Sequence, residues 1–217
     1  MTKRNFAVIG LGTFGLSLAR TLAGFGDHVL GIDRDDAAAA TAADRLARVV
    51  IADCREARAV EEAGLGSYDL AIVAVASDVE ASVLTVMNLK QAGVAEVWAK
   101  SSGETHTRIL ERLGVDRVLQ PEESFGELLA QVAHNPSMRG SVRLTGDMHL
   151  AQIETPASLC GKTLGTAKLA ERHDLLCLGV VRAAVVLAAA PEVEICEGDG
   201  LIVAGTRPTM RRFADRA

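Results

Sequence analysis

The chain has 217 residues, a formal net charge of −5 and a pI of about 5.6. Hydrophobic residues make up 49% and charged residues 24%, a globular composition, and aromatic side chains only 3%. An acidic chain with one Trp, one Tyr and no basic stripe lacks what a nucleic-acid binder uses for phosphates and stacked bases, so no nucleic-acid partner is expected.

The N-terminal "MTKRNFAVIG" runs straight into a glycine loop and does not read as a signal peptide. The longest apolar run, "AAVVLAAA" at Ala183 to Ala190, is far short of the ~18 residues of a membrane span. A soluble cytoplasmic protein with no direct membrane insertion is expected. Cys54, Cys160, Cys177 and Cys196 are scattered and read as reduced, packed thiols rather than zinc ligands.

In chain order, apolar β-rich runs alternate with helical patterns. "FAVIG", "HVLGID", "RVVIADC", "LAIVAVA", "EVWAKS" and "RVLQP" read as strands. "TFGLSLARTLAGF", "DDAAAATAADRL", "DVEASVLTVMNLKQAG" and "THTRILERLG" read as helices between them. Strands apolar almost throughout indicate burial on both faces, as in a parallel sheet. The beat predicts an α/β, Rossmann-type doubly wound fold. Asp78 is a candidate N-cap, and Gly93 and Gly114 are candidate helix-ending residues. A last helix, "SFGELLAQVAH", ends at Asn135-Pro136, a break that predicts domains at 1–136 and 139–217.

Beyond it the rhythm changes. "MHLAQIETP" reads as a strand, and "GKTLGTAKLAERHD" as a turn and a helix. "LLCLGVV" and "AVVLAAAP" form a strand pair, and "EICEGDGLIVAG" turns at Gly198-Asp199-Gly200 into another strand. The terminal "TMRRFADR" reads as a solvated helix face. This is a small α+β module, near the size at which one core is marginal.

Gly10, Gly12 and Gly15 form G-x-G-x-x-G after a strand and at the start of a helix, with Leu11, Thr13 and Phe14 completing the loop. The first glycine permits the turn, the second lets backbone approach a pyrophosphate, and the third lets helix and strand pack closely. The helix N-terminus offers N–H groups to phosphate. Asp33, at the end of the second strand, stands where a carboxylate accepts ribose hydroxyls. It would repel the extra phosphate of NADP, although Arg34 beside it offers a cation. Other strand ends supply Asp53 and Cys54, Ala76 and Ser77, and Lys100, where open α/β sheets place ligands. Lys100 ends an apolar strand, so a phosphate partner or a snorkelling stem would account for it.

Catalytic groups are harder to find. His28 sits at the wrong end of the sheet, and His134, His149 and His173 fall in or beside the linker and the small module. His106, near Lys100, is the one candidate acid for a small NAD-dependent oxidoreductase. No nucleophile elbow, zinc helix or P-loop is present. A binding protein rather than an enzyme is expected.

"FAVIGLGTFG", "GID", "VVIADC", "ASVLTVMNLKQAG", "VWAK", "RILERLGVDRVLQPEES" and a module ending "EGDGLIVAG" together resemble the RCK (regulator of potassium conductance) family. Within it they are similar to the KtrA/TrkA-like cytosolic regulatory subunits of Ktr/Trk-type bacterial potassium uptake systems. The resemblance implies an RCK N-terminal Rossmann domain and an RCK C-terminal domain. It implies homodimers, often in an eight-subunit ring, at the inner face of the plasma membrane on a membrane-embedded potassium channel or transporter. Nucleotide in the cleft would change the angle between paired subunits and so gate potassium flux; service to another ion transporter is the related alternative. By resemblance, Gly10, Gly12 and Gly15 become the phosphate loop and Asp33 the ribose ligand. Asp53 and Cys54 become the adenine surround and Lys100 a phosphate contact. Glu122 matches a glutamate that can hold a divalent or monovalent cation between nucleotide-bound subunits.

Two departures stand out. The slot of Thr13 is commonly an arginine that reaches a terminal phosphate across the dimer. Threonine is too short and uncharged for this, which brings ADP, AMP and NAD(H) forward beside ATP. "TAKLAERHD" and "LAAAPEVEI" match poorly the pocket that binds cyclic di-AMP in some relatives, so that ligand is not carried over.

Overall fold

A computed structural model describes residues 3–134 and 137–214. The chain divides into two compact units, Met1–Pro121 and Glu122–Ala217. The expected break at Asn135-Pro136 lies outside the described residues.

In the first unit, strands β1 (Asn5–Ile9), β2 (His28–Asp33), β3 (Val49–Ile51), β4 (Leu70–Val73), β5 (Val97–Lys100) and β6 (Arg117–Leu119) alternate with helices. These are α1 (Thr13–Gly24), α2 (Asp36–Ala43), α3 (Ala57–Glu62), α4 (Val79–Gln91) and α5 (Glu104–Arg112). The sheet order is β3-β2-β1-β4-β5-β6, parallel throughout, with Val8 opposite Gly31 on one side and Ile72 on the other. The order reverses between β1 and β4, which opens a crevice beyond their C-terminal ends. This is the Rossmann arrangement that the beat predicts.

The apolar strands are explained by two cores, one on each face. Ala7 and Ile9 of β1, with Ala71 and Val73 of β4, join one cluster, while Phe6, Val8, Leu70 and Ile72 join the other. Strands buried on both faces cannot show polar alternation. Asp78 caps α4 by accepting the Ala81 N–H at 2.9 Å, and Asp35 caps α2 in the same way from Ala38. Gly93 and Gly114 follow helices with φ of +78° and +72°, a conformation that suits glycine. The expected third strand is shorter, because β3 is an edge strand and its chain turns away after Ala52 N–H reaches the Asp33 carbonyl. Helix α3 completes the next crossover and was not expected from "REARAVEEAG".

The second unit holds α6 (Pro121–His134, from Glu122 onward), β7 (Met138–Thr145), β8 (Met148–Glu154), α7 (Leu164–Ala167), α8 (Leu169–His173), β9 (Leu176–Arg182), β10 (Val185–Ala188), β11 (Gly200–Thr206) and α9 (Arg207–Ala214). Its antiparallel sheet runs β10-β9-β11-β8-β7 over a core that includes Ile153, Leu175, Ile195, Leu201 and Met210. The expected single helix over "GKTLGTAKLAERHD" is two, because Lys168 adopts φ +50° and ends α7 before α8 begins. Strand β7 adds to the expected elements; in "MRGSVRLT" Met138, Val142 and Leu144 alternate with polar residues, but Gly140 interrupts the run. Helix α9 exposes Arg211 and Arg212 as expected, yet buries Met210 and Phe213. Asp199, nearly fully buried at the β11 turn, is gripped by Arg182 through two bonds of 2.9 and 2.8 Å. That partner holds its carboxyl below the usual range.

Candidate functional site

The crevice is built around the β1–α1 loop. Gly10 has φ +92° and donates its N–H to the Ile32 carbonyl at 2.8 Å. A Cβ there would press on Val75 Cγ2 at 2.7 Å. A Cβ at Gly15 would overlap the Gly10 carbonyl oxygen, so this glycine lets α1 pack on β1. Gly12 is different: a Cβ there would meet nothing within 4 Å, and its φ of −64° is open to any residue. Neither packing nor backbone strain requires glycine at this position. What its missing side chain does is leave the start of α1 approachable. No side chain caps that helix end and no acidic residue stands in its first turn, so its N–H groups and dipole face the crevice.

Asp33 fastens this loop. Its Oδ2 accepts the Leu11 N–H at 2.6 Å and its Oδ1 accepts the Asp35 N–H at 3.0 Å. Each carboxylate oxygen has two lone pairs, so both retain capacity for a ribose hydroxyl. Leu11 is buried, and a Cβ on Gly31 would crowd its methyl groups at 3.1 Å.

Lys100, at the end of β5, turns its ammonium over the Phe14 ring at 5.5 Å. Phe14 lies in the first turn of α1, so the charge sits beside the glycine loop rather than reaching away from it. Thr13 is exposed at the start of the same turn.

Opposite, Arg34 reaches Asp78 at 3.7 Å, and Asp53 is paired with Arg55 through its guanidinium and its backbone N–H. Arg55, with Arg34 adding to it, holds the Asp53 carboxyl below its ordinary value. Cys54 is buried in the core, where desolvation and the nearby Asp53 and Asp33 charges push its thiol up to about 12. It is an unreactive thiol packed in the core. Asn88 on α4 holds this turn by donating to the Cys54 and Arg55 carbonyls at 3.0 and 2.8 Å. Ala76 is buried and Ser77 exposed in the loop between β4 and α4.

His106 is buried and occupied. The Ser102 N–H donates to its Nδ1 at 3.2 Å, which places the ring proton on Nε2, 3.2 Å from Ser82 Oγ. Burial lowers its pKa, so it is a neutral strut between α5, α4 and the loop after Lys100. Glu122 lies exposed in the first turn of α6, within the second unit. Among the described residues, no group of three or more His, Cys, Asp or Glu side chains could hold a metal ion.

The first unit thus brings together Gly10 to Gly15, Asp33, Arg34, Asp53, Cys54, Ala76, Ser77 and Lys100 at the C-terminal strand ends. Sequence reasoning did not assign Arg55, Asn88 or the Arg34–Asp78 contact. The i,i+2 spacing of Asp53 and Arg55 was a local signal; the other two depend on elements folding beside one another.

The arrangement defines a Rossmann-type module whose open glycine loop, carboxylate and lysine suit a phosphorylated nucleoside, followed by a small antiparallel module. The TrkA-N domain family matches residues 6–121, and the chain belongs to it, among the KtrA/TrkA-like RCK proteins. It is 30% identical over 208 residues to the Ktr system potassium uptake protein A of Vibrio alginolyticus, covering 95% of this chain and 94% of that protein. The GsuK channel bound to NAD is similar in fold, with a TM-score of 0.70 and 14% identity over 99% of this chain. This chain spans 39% of that channel's length. GsuK bound to ADP matches 60% of this chain with a TM-score of 0.51 and 12% identity, over 34% of its own length. Among the described residues no helix is long and apolar enough to cross a membrane.

Proposed function

We propose that this protein is a nucleotide-sensing gating subunit of a potassium uptake system, acting at the cytosolic face of a membrane-embedded channel or transporter. The observation that carries the reading is the side-chain-free approach at Gly12, set between Asp33 and Lys100 at the switch point of the sheet. Near full-length similarity to a Ktr potassium uptake protein supports the transport role. The NAD and ADP named with the GsuK structures support an adenine nucleotide or NAD(H) as ligand.

When bound, the ligand supplies phosphate charge and an adenosine. Gly12 and the first turn of α1 would receive the phosphates, with Lys100 adding charge and Asp33 taking the ribose. Asp53, Cys54, Ala76 and Ser77 would wall the adenine side. Regulation then follows from unequal affinity for two shapes of a homodimer or larger ring, because a ligand shifts an equilibrium only by its differential binding. In this reading residues 1–136 sense the nucleotide, residues 139–217 form the regulatory domain, and Glu122 holds a cation between subunits. The neutral, fully engaged His106 supports binding over hydride chemistry.

Potassium uptake at low external potassium, measured in cells lacking the gene and complemented with wild type or Gly12→Val, tests this. Wild type should restore regulated uptake and Gly12→Val should not. Uptake unchanged by deletion would contradict it.

A further inference from the structure

Asp33 and Arg34 point to opposite ligands. A carboxylate at the end of β2 favours an unmodified ribose, whereas an arginine beside it can accept a 2′-phosphate. Asp33 is committed to the loop by its bonds from Leu11 and Asp35. Arg34 is committed too, and in a direction the sequence did not show. Its guanidinium spans from the end of β2 to Asp78, beyond the end of β4, and these two strands flank β1 and its glycine loop. Asp78 is itself fixed, because its other oxygen caps α4 through Ala81 N–H at 2.9 Å. The second arginine of this rim, Arg55, is held by Asp53. Arg34 therefore stands among the carboxylates of Asp33, Asp53 and Asp78, with only Arg55 as a fellow cation among these groups.

We propose that the Arg34–Asp78 pair is a specificity device that withholds Arg34 from a 2′-phosphate, so that the cleft selects adenine nucleotides with an unmodified ribose. This rests on the nucleotide-binding reading above and narrows its ligand class. A 2′-phosphate entering the rim would meet Asp33 at once and would have to draw Arg34 from Asp78. The pair is half-exposed, with side-chain exposures of 51% and 38%, so its hold is modest and the selectivity it sets is a matter of several-fold.

The test measures binding of the full chain by calorimetry with two ligand pairs, NADH against NADPH and 5′-AMP against adenosine 2′,5′-bisphosphate. Members of each pair differ only in the 2′-phosphate. Asp78→Asn removes the charge yet keeps a side chain that caps a helix well. Wild type should favour the unphosphorylated member by about tenfold or more, and Asp78→Asn should narrow that ratio about three- to tenfold. Arg34→Ala should change the wild-type ratio less than about twofold and should cancel the gain when combined with Asp78→Asn. An unchanged ratio in Asp78→Asn, or a gain that survives loss of Arg34, would overturn the device. Wild-type protein that binds none of the four ligands, and neither ADP nor ATP, would overturn the nucleotide reading itself.

Discussion

The Asp33 carboxylate accepts the Leu11 N–H at 2.6 Å, so the residue proposed to take a ribose also ties down the loop proposed to take phosphates. Asp33→Asn replaces one of the two accepting oxygens with an NH2 donor, which would face either the Leu11 or the Asp35 N–H and oppose that bond. A lost or opposed bond of this kind costs about 1–3 kcal/mol. Nucleotide affinity should fall about tenfold or more by calorimetry, and thermal stability should fall with it. Unaltered affinity would mean that the loop does not need this tether.

Gly12 and Gly15 should separate binding from stability. A side chain at Gly12 meets open space, so Gly12→Val should keep the melting temperature nearly unchanged while abolishing nucleotide binding. Gly15→Ala sets a methyl group against the Gly10 carbonyl, and overpacking of this kind costs about 1–3 kcal/mol or more. It should lower the melting temperature by several degrees whether or not nucleotide is present. Melting curves and calorimetry on the two variants check the contrast.

Thr13 is exposed at the first position of α1 and carries no charge toward a ligand or a second copy. Thr13→Arg should raise the preference for ATP over ADP, by about tenfold if a charge-assisted bond forms. An equal effect on both nucleotides would show that this slot does not read the terminal phosphate.

The second unit should lose stability in mild acid. His149 is buried, its Nε2 accepts from Arg207 Nε at 3.1 Å, and its Nδ1 lies 3.3 Å from Ser141 Oγ. Burial and the charges of Arg207 and Arg143 lower its pKa, outweighing Asp147 and Glu127. A histidine neutral in the fold and near 6.5 when unfolded makes the unfolded state bind more protons in that window. Stability is then full above about pH 6.5 and declines as pH falls below it. Denaturation followed between pH 7.5 and 5.5 should show this slope, and His149→Gln should flatten it. His106 contributes in the same direction in the first unit, so a residual slope is expected.

Most of the first unit was legible because each of its signals is local. Apolar strands, Asp78 as a cap and glycines at helix ends all act within a few residues. The glycine loop at the start of α1 and Asp33 at the end of β2 were legible for the same reason, since one supersecondary unit carries them. The Arg34–Asp78 pair, the Asn88 grip on the Cys54 turn and the occupation of His106 join residues 24 to 44 positions apart, and only the folded sheet brings them together. Strand β7 did carry a local signal, the alternation of Met138, Val142 and Leu144 with Arg139, Arg143 and Thr145, weakened at Gly140. The split at Lys168 hid because nothing in a lysine announces a positive φ.

The central claim is that the cleft of the first unit holds an adenine nucleotide as a ligand and not as a reactant. Mass spectrometry of protein purified without added nucleotide, followed by calorimetric titration of the stripped protein with the species found, tests it most directly. The account predicts an adenine nucleotide or NAD(H), recovered chemically unchanged, that rebinds wild type and fails to rebind Gly12→Val. A stripped protein that binds neither adenine nucleotides nor NAD(H), or one that turns the nicotinamide over with a metabolite, would contradict it.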